Sequence, residues 1–282
     1  MDNKTILITG GSSGIGLHTA IGLAGAGAEV ILAVRDLEKG DAAAREIREK
    51  TGGRGKVEVL GLELSDLHSV KQAAGEFYVR WPHLDVLINN AGLFTTSYTP
   101  TAQGFELQFG VNHLGHFLLT HLLAPALRKA RAPRIVNVSS LAYLQGKLDT
   151  RRLREWPGTY NGLQAYAQSK LCNVLFTVEW AERFPDIPAN ALHPGVIGTR
   201  FGAKHSRFLV RALWLLYRPF MVSPEQGART SLYLASSPEI PGMSGGFFDE
   251  KQRKRSIASK ALQNDSARIL WEKSEAWTKD FF

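Results

Sequence analysis

Four glycines within seven residues stand between a short apolar run and a long helical pattern, in the stretch Lys4 to Gly16, KTILITGGSSGIG. Thr5-Ile6-Leu7-Ile8-Thr9 has the β-branched, uninterrupted apolar character of a parallel strand buried on both faces. The pattern from Ile15 to Ala26 reads as a helix. Strand, glycine-rich turn and helix in that order form a seat for a dinucleotide pyrophosphate. Gly10 permits the tight turn, Gly14 lets the backbone approach the phosphates, and Gly16 lets the helix pack on the strand. Glycine also marks ordinary loops, so the position of the cluster carries the reading more than its composition.

A chain of 282 residues is long enough for one large α/β domain with a well-buried core, and no second domain is required. Its one cysteine, Cys172, rules out an internal disulfide and a cysteine-based metal site, which fits a reducing compartment. The first strand starts at about the fourth residue, leaving no room for a signal peptide or N-terminal anchor. The most apolar run, Phe208 to Val222, is interrupted by Arg211, Arg218 and Pro219 and falls short of a membrane span. A soluble, cytoplasmic protein without an integral membrane segment is expected. The net charge of +8 arises from basic clusters at Arg128 to Arg134, Lys147 to Arg154, Arg200 to Arg218 and Lys251 to Arg255. With no nucleic-acid motif and no aromatic-interleaved basic stripe, these read as solvated surfaces that also attract an anionic cofactor.

Glu29 to Val34 is the second expected strand, ending in Arg35-Asp36. An acidic side chain at this place accepts from the adenosine ribose hydroxyls of NAD, whereas an arginine pairs with the 2′-phosphate of NADP. The NAD-type acid falls about 18 residues after Gly16, and that count lands on Val34, which can do neither. Arg35 follows, so the expected cofactor is NADP(H); Asp36 is free to cap the next helix. That helix covers 37 to 51, followed by a strand at Lys56 to Leu62. Ser65 or Asp66 caps a helix running to about Arg80, and Leu84 to Ile88 forms a fourth strand entering Asn89-Asn90-Ala91-Gly92. Strands alternating with helices at this spacing imply a doubly wound parallel sheet with helices on both faces. Further on come a long helix at Gln103 to Ala130, a strand at Arg134 to Ser139 and a polar excursion from Gln145 to Gly162. A helix at Gln164 to Arg183 and a strand at Ala189 to Leu192 lead into His193-Pro194-Gly195. The apolar segment 200–222, a capped helix from Ser223-Pro224-Glu225, a short strand near Gly245 to Phe248 and an amphipathic stretch at Asp265 to Thr278 complete a single domain with a seven-stranded, mainly parallel sheet.

Tyr166 and Lys170 lie four residues apart, so a helix carries both on one face. A free phenol has a pKa near 10 and is a poor acid–base catalyst at neutral pH; a lysine cation and an oxidised nicotinamide beside it would stabilise the phenolate. Such a pair also occurs on ordinary helix surfaces. What gives it weight is that the ends of the first, fourth, fifth and sixth strands fall at the carboxyl edge of the sheet, where open α/β folds hold ligands.

Thr9-Gly10-Gly11-Ser12-Ser13-Gly14-Ile15-Gly16, Asn89-Asn90-Ala91-Gly92, Asn112, Ser140, Tyr166-Lys170 and Pro194-Gly195 together resemble the short-chain dehydrogenase/reductase family over nearly the whole chain. Val34-Arg35-Asp36, the stretch Arg134 to Ser140, Ser169-Lys170-Leu171 and Leu270-Trp271-Glu272 are most similar to retinol dehydrogenase-type and related NADP-linked carbonyl reductases. The resemblance implies roles. Tyr166 exchanges the proton with the substrate oxygen, Ser140 hydrogen-bonds that oxygen, and Lys170 binds the nicotinamide ribose and lowers the Tyr166 pKa. Asn112 holds a water that links Lys170 to solvent. Cofactor contacts are implied for Gly10, Ser12, Ser13, Gly14, Ile15, Gly16, Arg35, Glu63, Leu64, Asn90, Ala91, Gly92, Tyr166, Lys170, Pro194, Gly195, Val196 and Thr199, and no metal is implied. The partner is a small-molecule substrate, and a homodimer through the helices around 103–130 and 164–183 is one expectation.

Three departures qualify the resemblance. Glu63 stands where the family has an aspartate that contacts adenine. Ser140 and Tyr166 are 26 residues apart, about double the common spacing, with a strongly basic Gln145–Gly162 segment between them. The N-terminal anchor frequent in the retinol dehydrogenase group is not evident. Phe201, Phe208, Leu209, Leu213, Trp214, Leu215 and Leu216 suggest an apolar lid over a bulky apolar or aromatic substrate, a surface that could instead rest on a membrane. Reduction of a polarised C=C bond and non-catalytic NADP sensing are the alternative functions. His113, His116 and His121 lack carboxylate or cysteine neighbours and read as packing rather than ligands. Tyr160 reads as a decoy for the catalytic tyrosine and Cys172 as a core residue.

Overall fold

The computed structural model describes residues 1–195, 222–240 and 242–282. Six parallel strands alternate with helices as the pattern requires: β1 (Thr5–Thr9), α1 (Gly14–Gly25), β2 (Glu29–Val34), α2 (Leu37–Thr51), β3 (Val57–Gly61), α3 (Leu67–Arg80), β4 (Val86–Asn89), α4 (Leu107–Phe109), α5 (Gly115–Arg128), β5 (Arg134–Val138), α6 (Gly162–Arg183) and β6 (Ala189–Leu192). Then come α7 (Pro224–Ser236), β7 (Phe247–Phe248), β8 (Lys254–Arg255) and α8 (Ser266–Thr278). The sheet order is β3-β2-β1-β4-β5-β6-β7-β8. The chain reverses its direction of winding between β1 and β4, so their carboxyl ends frame the crevice where such sheets bind ligands.

Alternation along the strands divides the core in two. Leu7, Ile31, Leu60, Leu87 and Ile135 face the side covered by α3, α5, α6 and α8. Ile6, Ile8, Val30, Leu32, Val86 and Ile88 face the side covered by α1, α2 and α7. Asp36, Asp66 and Asn161 cap α2, α3 and α6 by accepting from Lys39, His68 and Gln164 amides. Ser223 and Gln226 form a reciprocal capping box on α7.

Among the described residues the sheet has eight strands rather than the seven expected. The eighth, β8, is two residues long and antiparallel to β7. It forms because the Asp249 carboxylate accepts from the Lys251 and Arg253 amides at 2.9 and 3.0 Å and from Arg253 and Arg255 Nε at 3.0 and 2.7 Å, which folds the chain back on itself. The expected helix from 103 also begins later, at Leu107. Glu106 caps it by accepting from the Gln108 and Phe109 amides, while 100–106 is a turn closed by a Pro100–Glu106 bridge. Between α4 and α5, Gly110–Leu114 forms a wider π turn.

α8 lies over α5 and α6. Trp271 is buried against Phe117, His121, Phe176 and Trp180, and Trp277 packs on Phe105 and Phe109. α8 thus covers one face of each of these two helices. His113 and His121 belong to this aromatic layer: His113 contacts Ser274 Oγ at 3.1 Å, and His121 Nδ1 bonds the Phe117 carbonyl at 2.8 Å. Burial holds His113 down to about 3 and His121 down to about 4.

An unfolded histidine titrates near 6.5. A depressed folded value means the unfolded state takes up protons first as pH falls, so the stability present above 6.5 is lost between 6.5 and about 4. Denaturant unfolding of wild type and His121→Phe at several pH values in that window should show wild type losing more stability, by up to about 1.4 kcal/mol per pH unit from this one group. Parallel declines would show that His121 does not contribute.

Candidate active site

The glycine turn is built by close approach. A Cβ on Gly16 would collide with the Gly10 carbonyl and sit 2.6 Å from Asn90 Nδ2, so no larger residue fits. Gly10 adopts φ +67° and donates its amide to the Ala33 carbonyl at 2.9 Å, and the Asn90 carboxamide braces the turn from β4 by donating to Thr9 O at 2.8 Å. α2, α3, α6 and α7 each have a side-chain cap, but α1 has none: the Ser13 hydroxyl makes no capping bond, and its first turn holds no acidic residue. The amides there remain free to receive an anion. These features fit a dinucleotide pyrophosphate.

At the carboxyl end of β5 the two serines diverge. Ser139 is buried and donates to the Lys170 carbonyl at 2.8 Å, tying strand to helix. Ser140 faces the crevice, accepts from the Ala142 amide at 3.2 Å, and shares a hydrogen bond with the Tyr166 hydroxyl. Tyr166 and Lys170 lie on one face of α6, with Lys170 Nζ 5.7 Å from the centre of the phenol ring and donating to the Val138 carbonyl at 3.1 Å. Asn112 sits in the π turn. Its carboxamide accepts from the Leu93 amide at 2.8 Å and donates to Leu93 O and Ser169 Oγ at 3.0 and 2.9 Å. Gly92 completes the group: a Cβ there would lie 3.3 Å from both Asn112 Oδ1 and Lys170 Nζ. Tyr166, Ser140, Lys170, Asn112 and Gly92 thus converge at the sheet edge that carries the glycine turn.

The model of the short chain dehydrogenase family matches residues 4–208. The chain belongs to this family. Retinol dehydrogenase 14 of Mus musculus is 42% identical over 98% of this chain and 86% of its own length. Retinol dehydrogenase 11 of Homo sapiens is 42% identical over 97% of this chain and 85% of its own. A protein from Mycobacterium paratuberculosis has a crystal structure that superposes with TM-score 0.77 at 38% identity, covering 99% of this chain and 94% of that one. A Shigella flexneri short chain dehydrogenase complexed with NADP superposes with TM-score 0.68 at 27% identity, over 89% of this chain and 98% of that one. This short chain dehydrogenase is accordingly an oxidoreductase of alcohol and carbonyl groups that uses a nicotinamide dinucleotide.

Other expected cofactor residues fall along the same edge with differing freedom. Arg35 is exposed; Asp36 is engaged in its cap and in an ion pair with Lys39. Leu64 is buried in the core against Gly115, which leaves its backbone for any cofactor contact. Glu63 is directed at Ser65 and Arg35. Pro194 and Gly195 follow β6, whereas Val196 and Thr199 lie outside the described residues, as does the expected lid through residue 221. Among the described residues no three metal-ligating side chains gather.

Tyr160 lies in another environment, donating to Glu106 Oε1 at 2.7 Å and accepting from Gln108 Nε2 at 2.7 Å. Burial and the Glu106 carboxylate push its phenol up, so it anchors the 145–162 excursion. Much of the basic charge of that excursion is used internally. Arg151 and Arg152 pair with Asp149, Arg152 stacks over Trp156 and Arg154 over Phe105. Cys172 is fully buried in the core, and burial pushes its thiol up.

Four further residues complete the site through contacts that the sequence alone did not assign to them. Thr9 Oγ1 accepts from the Asn90 and Ala91 amides, both at 2.9 Å, and contacts His116 Nε2 at 2.8 Å. With two donors already directed at it, the hydroxyl donates its hydrogen bond to His116 Nε2 rather than to the Ile88 carbonyl at 3.4 Å. His116 Nδ1 then carries the single ring proton and donates to the Asn112 carbonyl at 3.1 Å, as a neutral ring that burial holds down to about 4. Ser169 joins Asn112 to the Tyr166 carbonyl, to which it donates at 2.8 Å. Phe94 meets the Tyr166 ring edge-on, with centroids 5.8 Å apart. Thr9 and Ser169 stand in motifs that carry the family resemblance, and Phe94 in an unremarkable loop, but only contacts across the fold reveal what each does.

Burial dominates the electrostatics. It pushes Tyr166 up to about 12 against the opposing Ser140 hydrogen bond, and pushes Lys170 down to about 8. At neutral pH the phenol therefore holds its proton and Lys170 remains charged. An unfolded lysine titrates near 10.4, so between pH 8 and 10 the unfolded state binds the additional proton. The Lys170 contribution to stability accordingly rises with pH across that window. Unfolding free energies of wild type should gain on those of Lys170→Met from pH 8 to pH 10, at up to about 1.4 kcal/mol per unit. A constant difference would place the folded Lys170 at its ordinary value.

Proposed function

We propose that this dehydrogenase interconverts a carbonyl and an alcohol by hydride transfer with NADP(H), acting on a bulky apolar or aromatic substrate. The observation that carries the reading is the convergence of Ser140, Tyr166, Lys170 and Asn112 beside the uncapped α1 terminus. The dinucleotide, when bound, supplies or receives the hydride. Tyr166 delivers its hydroxyl proton to the substrate oxygen in reduction and recovers it in oxidation. Ser140 holds that oxygen through the hydroxyl it already directs at Tyr166. The buried charge of Lys170 favours the phenolate as it forms. Both Asn112 amide protons are committed to Leu93 and Ser169, so a relay water between it and Lys170 would donate to the acceptor oxygens of Asn112.

NADP(H) is preferred because Arg35 is exposed where the 2′-phosphate would lie and Asp36 is engaged in capping; the NADP complex of the Shigella flexneri relative is in keeping with this. The apolar substrate is supported by large exposed side chains near the tetrad: Leu163, three residues before Tyr166, and Leu141 and Leu144, just after Ser140. Leu141 and Leu144, with Tyr143 and Phe247, form the apolar wall of a cavity of about 260 Å³ whose other wall is polar, built from Asp249, Glu250, Arg253, Arg255 and Ser256. The retinol dehydrogenase names of the mammalian relatives make retinoids one class to try. A cytoplasmic setting accompanies this reading; among the described residues no helix is long and apolar enough to cross a membrane.

NADPH consumption with a panel of ketones, quinones and aldehydes, retinal included, should reveal turnover with one class. Tyr166→Phe should lower it by about 10²- to 10⁴-fold, and NADH should support far less. Saturated carbonyl products from α,β-unsaturated carbonyl compounds would shift the reading to C=C reduction. Tight NADPH binding with no turnover would favour a sensor, and binding of neither dinucleotide would remove the cofactor reading.

A further inference from the structure

Arg35 and Glu63 leave neighbouring strands at the same edge, because the Leu62 amide donates to the Val34 carbonyl at 2.9 Å just before both side chains depart. Glu63 is fixed at both ends. Its own amide donates to Ser69 Oγ at 3.0 Å, and its Oε1 accepts from the Ser65 amide and hydroxyl at 2.9 and 2.8 Å. This clasp directs the second oxygen, Oε2, to 3.8 Å from Arg35 Nε. Arg35 is otherwise solvated, with its side chain 76% exposed, and Asp36, near enough to feel the guanidinium charge, is paired instead with the α2 amide and Lys39. The acidic group facing the guanidinium is therefore Glu63, set there by Ser65.

We infer that Glu63 is a selectivity-determining residue that limits the preference for a 2′-phosphorylated dinucleotide by holding a carboxylate against Arg35, where the phosphate must go. The inference rests on the NADP(H) reading and specifies how strongly it is expressed. A 2′-phosphate brings close to two negative charges beside Arg35 and meets an anion already in place. A free ribose hydroxyl brings none and is indifferent to it. Across several ångströms of well-hydrated surface, the repulsion amounts to roughly a three- to tenfold change in binding at low ionic strength, and salt screens it. A carboxylate whose role was to contact adenine would instead act alike on both forms of the cofactor. The Ser65 clasp also explains why this position tolerates glutamate: its extra methylene carries the carboxylate toward Arg35 without loss of the local turn.

Calorimetric titration of wild type, Glu63→Gln and Arg35→Ala with adenosine 2′,5′-bisphosphate and with 5′-AMP tests this without turnover. The amide of Glu63→Gln still accepts from Ser65, so the loop keeps its bonds. Glu63→Gln should bind the bisphosphate about three- to tenfold more tightly at low salt, leave 5′-AMP unchanged, and lose most of its advantage in high salt. Equal changes for both nucleotides, or weaker bisphosphate binding, would overturn the inference. Arg35→Ala separates the two levels. A selective loss of bisphosphate affinity upholds the NADP(H) reading whatever Glu63→Gln does, whereas equal losses remove that reading and the inference with it.

Discussion

The buried hydroxyl of Thr9 joins the three parts of the molecule that form the site. As the last residue of β1 it accepts from the amides of Asn90 and Ala91 at the end of β4 and donates its own hydrogen bond to His116 on α5. The glycine turn begins one residue later, the Asn90 carboxamide braces that turn, and His116 holds the Asn112 carbonyl in the π turn. One side chain thus registers the glycine turn against the strand end beneath the candidate site. It can do so because β1 and β4 are adjacent, Ile6 to Ile8 pairing with Val86 to Ile88, although they are about eighty residues apart in the chain.

Burial gives the titrating groups of the site their character. Lys170 is enclosed by α6, β5 and the Asn112 turn, so its charge is retained at neutral pH but is easier to remove than that of an exposed lysine. Tyr166 is held protonated by the same enclosure. The low-dielectric setting makes each of these groups responsive to a charge brought close by. At the solvated outer rim the opposite holds: Arg35 and Glu63 interact through water-like surroundings, and their influence is graded and open to salt.

The strands and most helices were legible because their signals are local. The apolar runs at 5–9, 29–34 and 189–192 match strands with the same bounds, and the caps at Asp36, Asp66 and Ser223 occupy the positions their residue types favour. The tyrosine and lysine of the candidate site were legible for the same reason, since i and i+4 share a face on any helix. The late start of the 103–130 helix was not, because Glu106 and the Pro100 bridge override the helical periodicity of the preceding turn. Nor was the eighth strand, which depends on the hydrogen bonds gathered by one aspartate, Asp249.

By itself, the sequence determined the alternation of strands and helices, the glycine turn and the pairing of Tyr166 with Lys170 on one helix face, since each follows from periodicity, backbone freedom or helix geometry within a few neighbouring positions. Tertiary structure decided which of two adjacent serines faces Tyr166, that α8 covers α5 and α6, and that Glu63 confronts Arg35. Those outcomes rest on contacts between segments far apart in the chain. Such contacts are fixed by sheet register and by competition for burial, and neither leaves a mark on local sequence pattern.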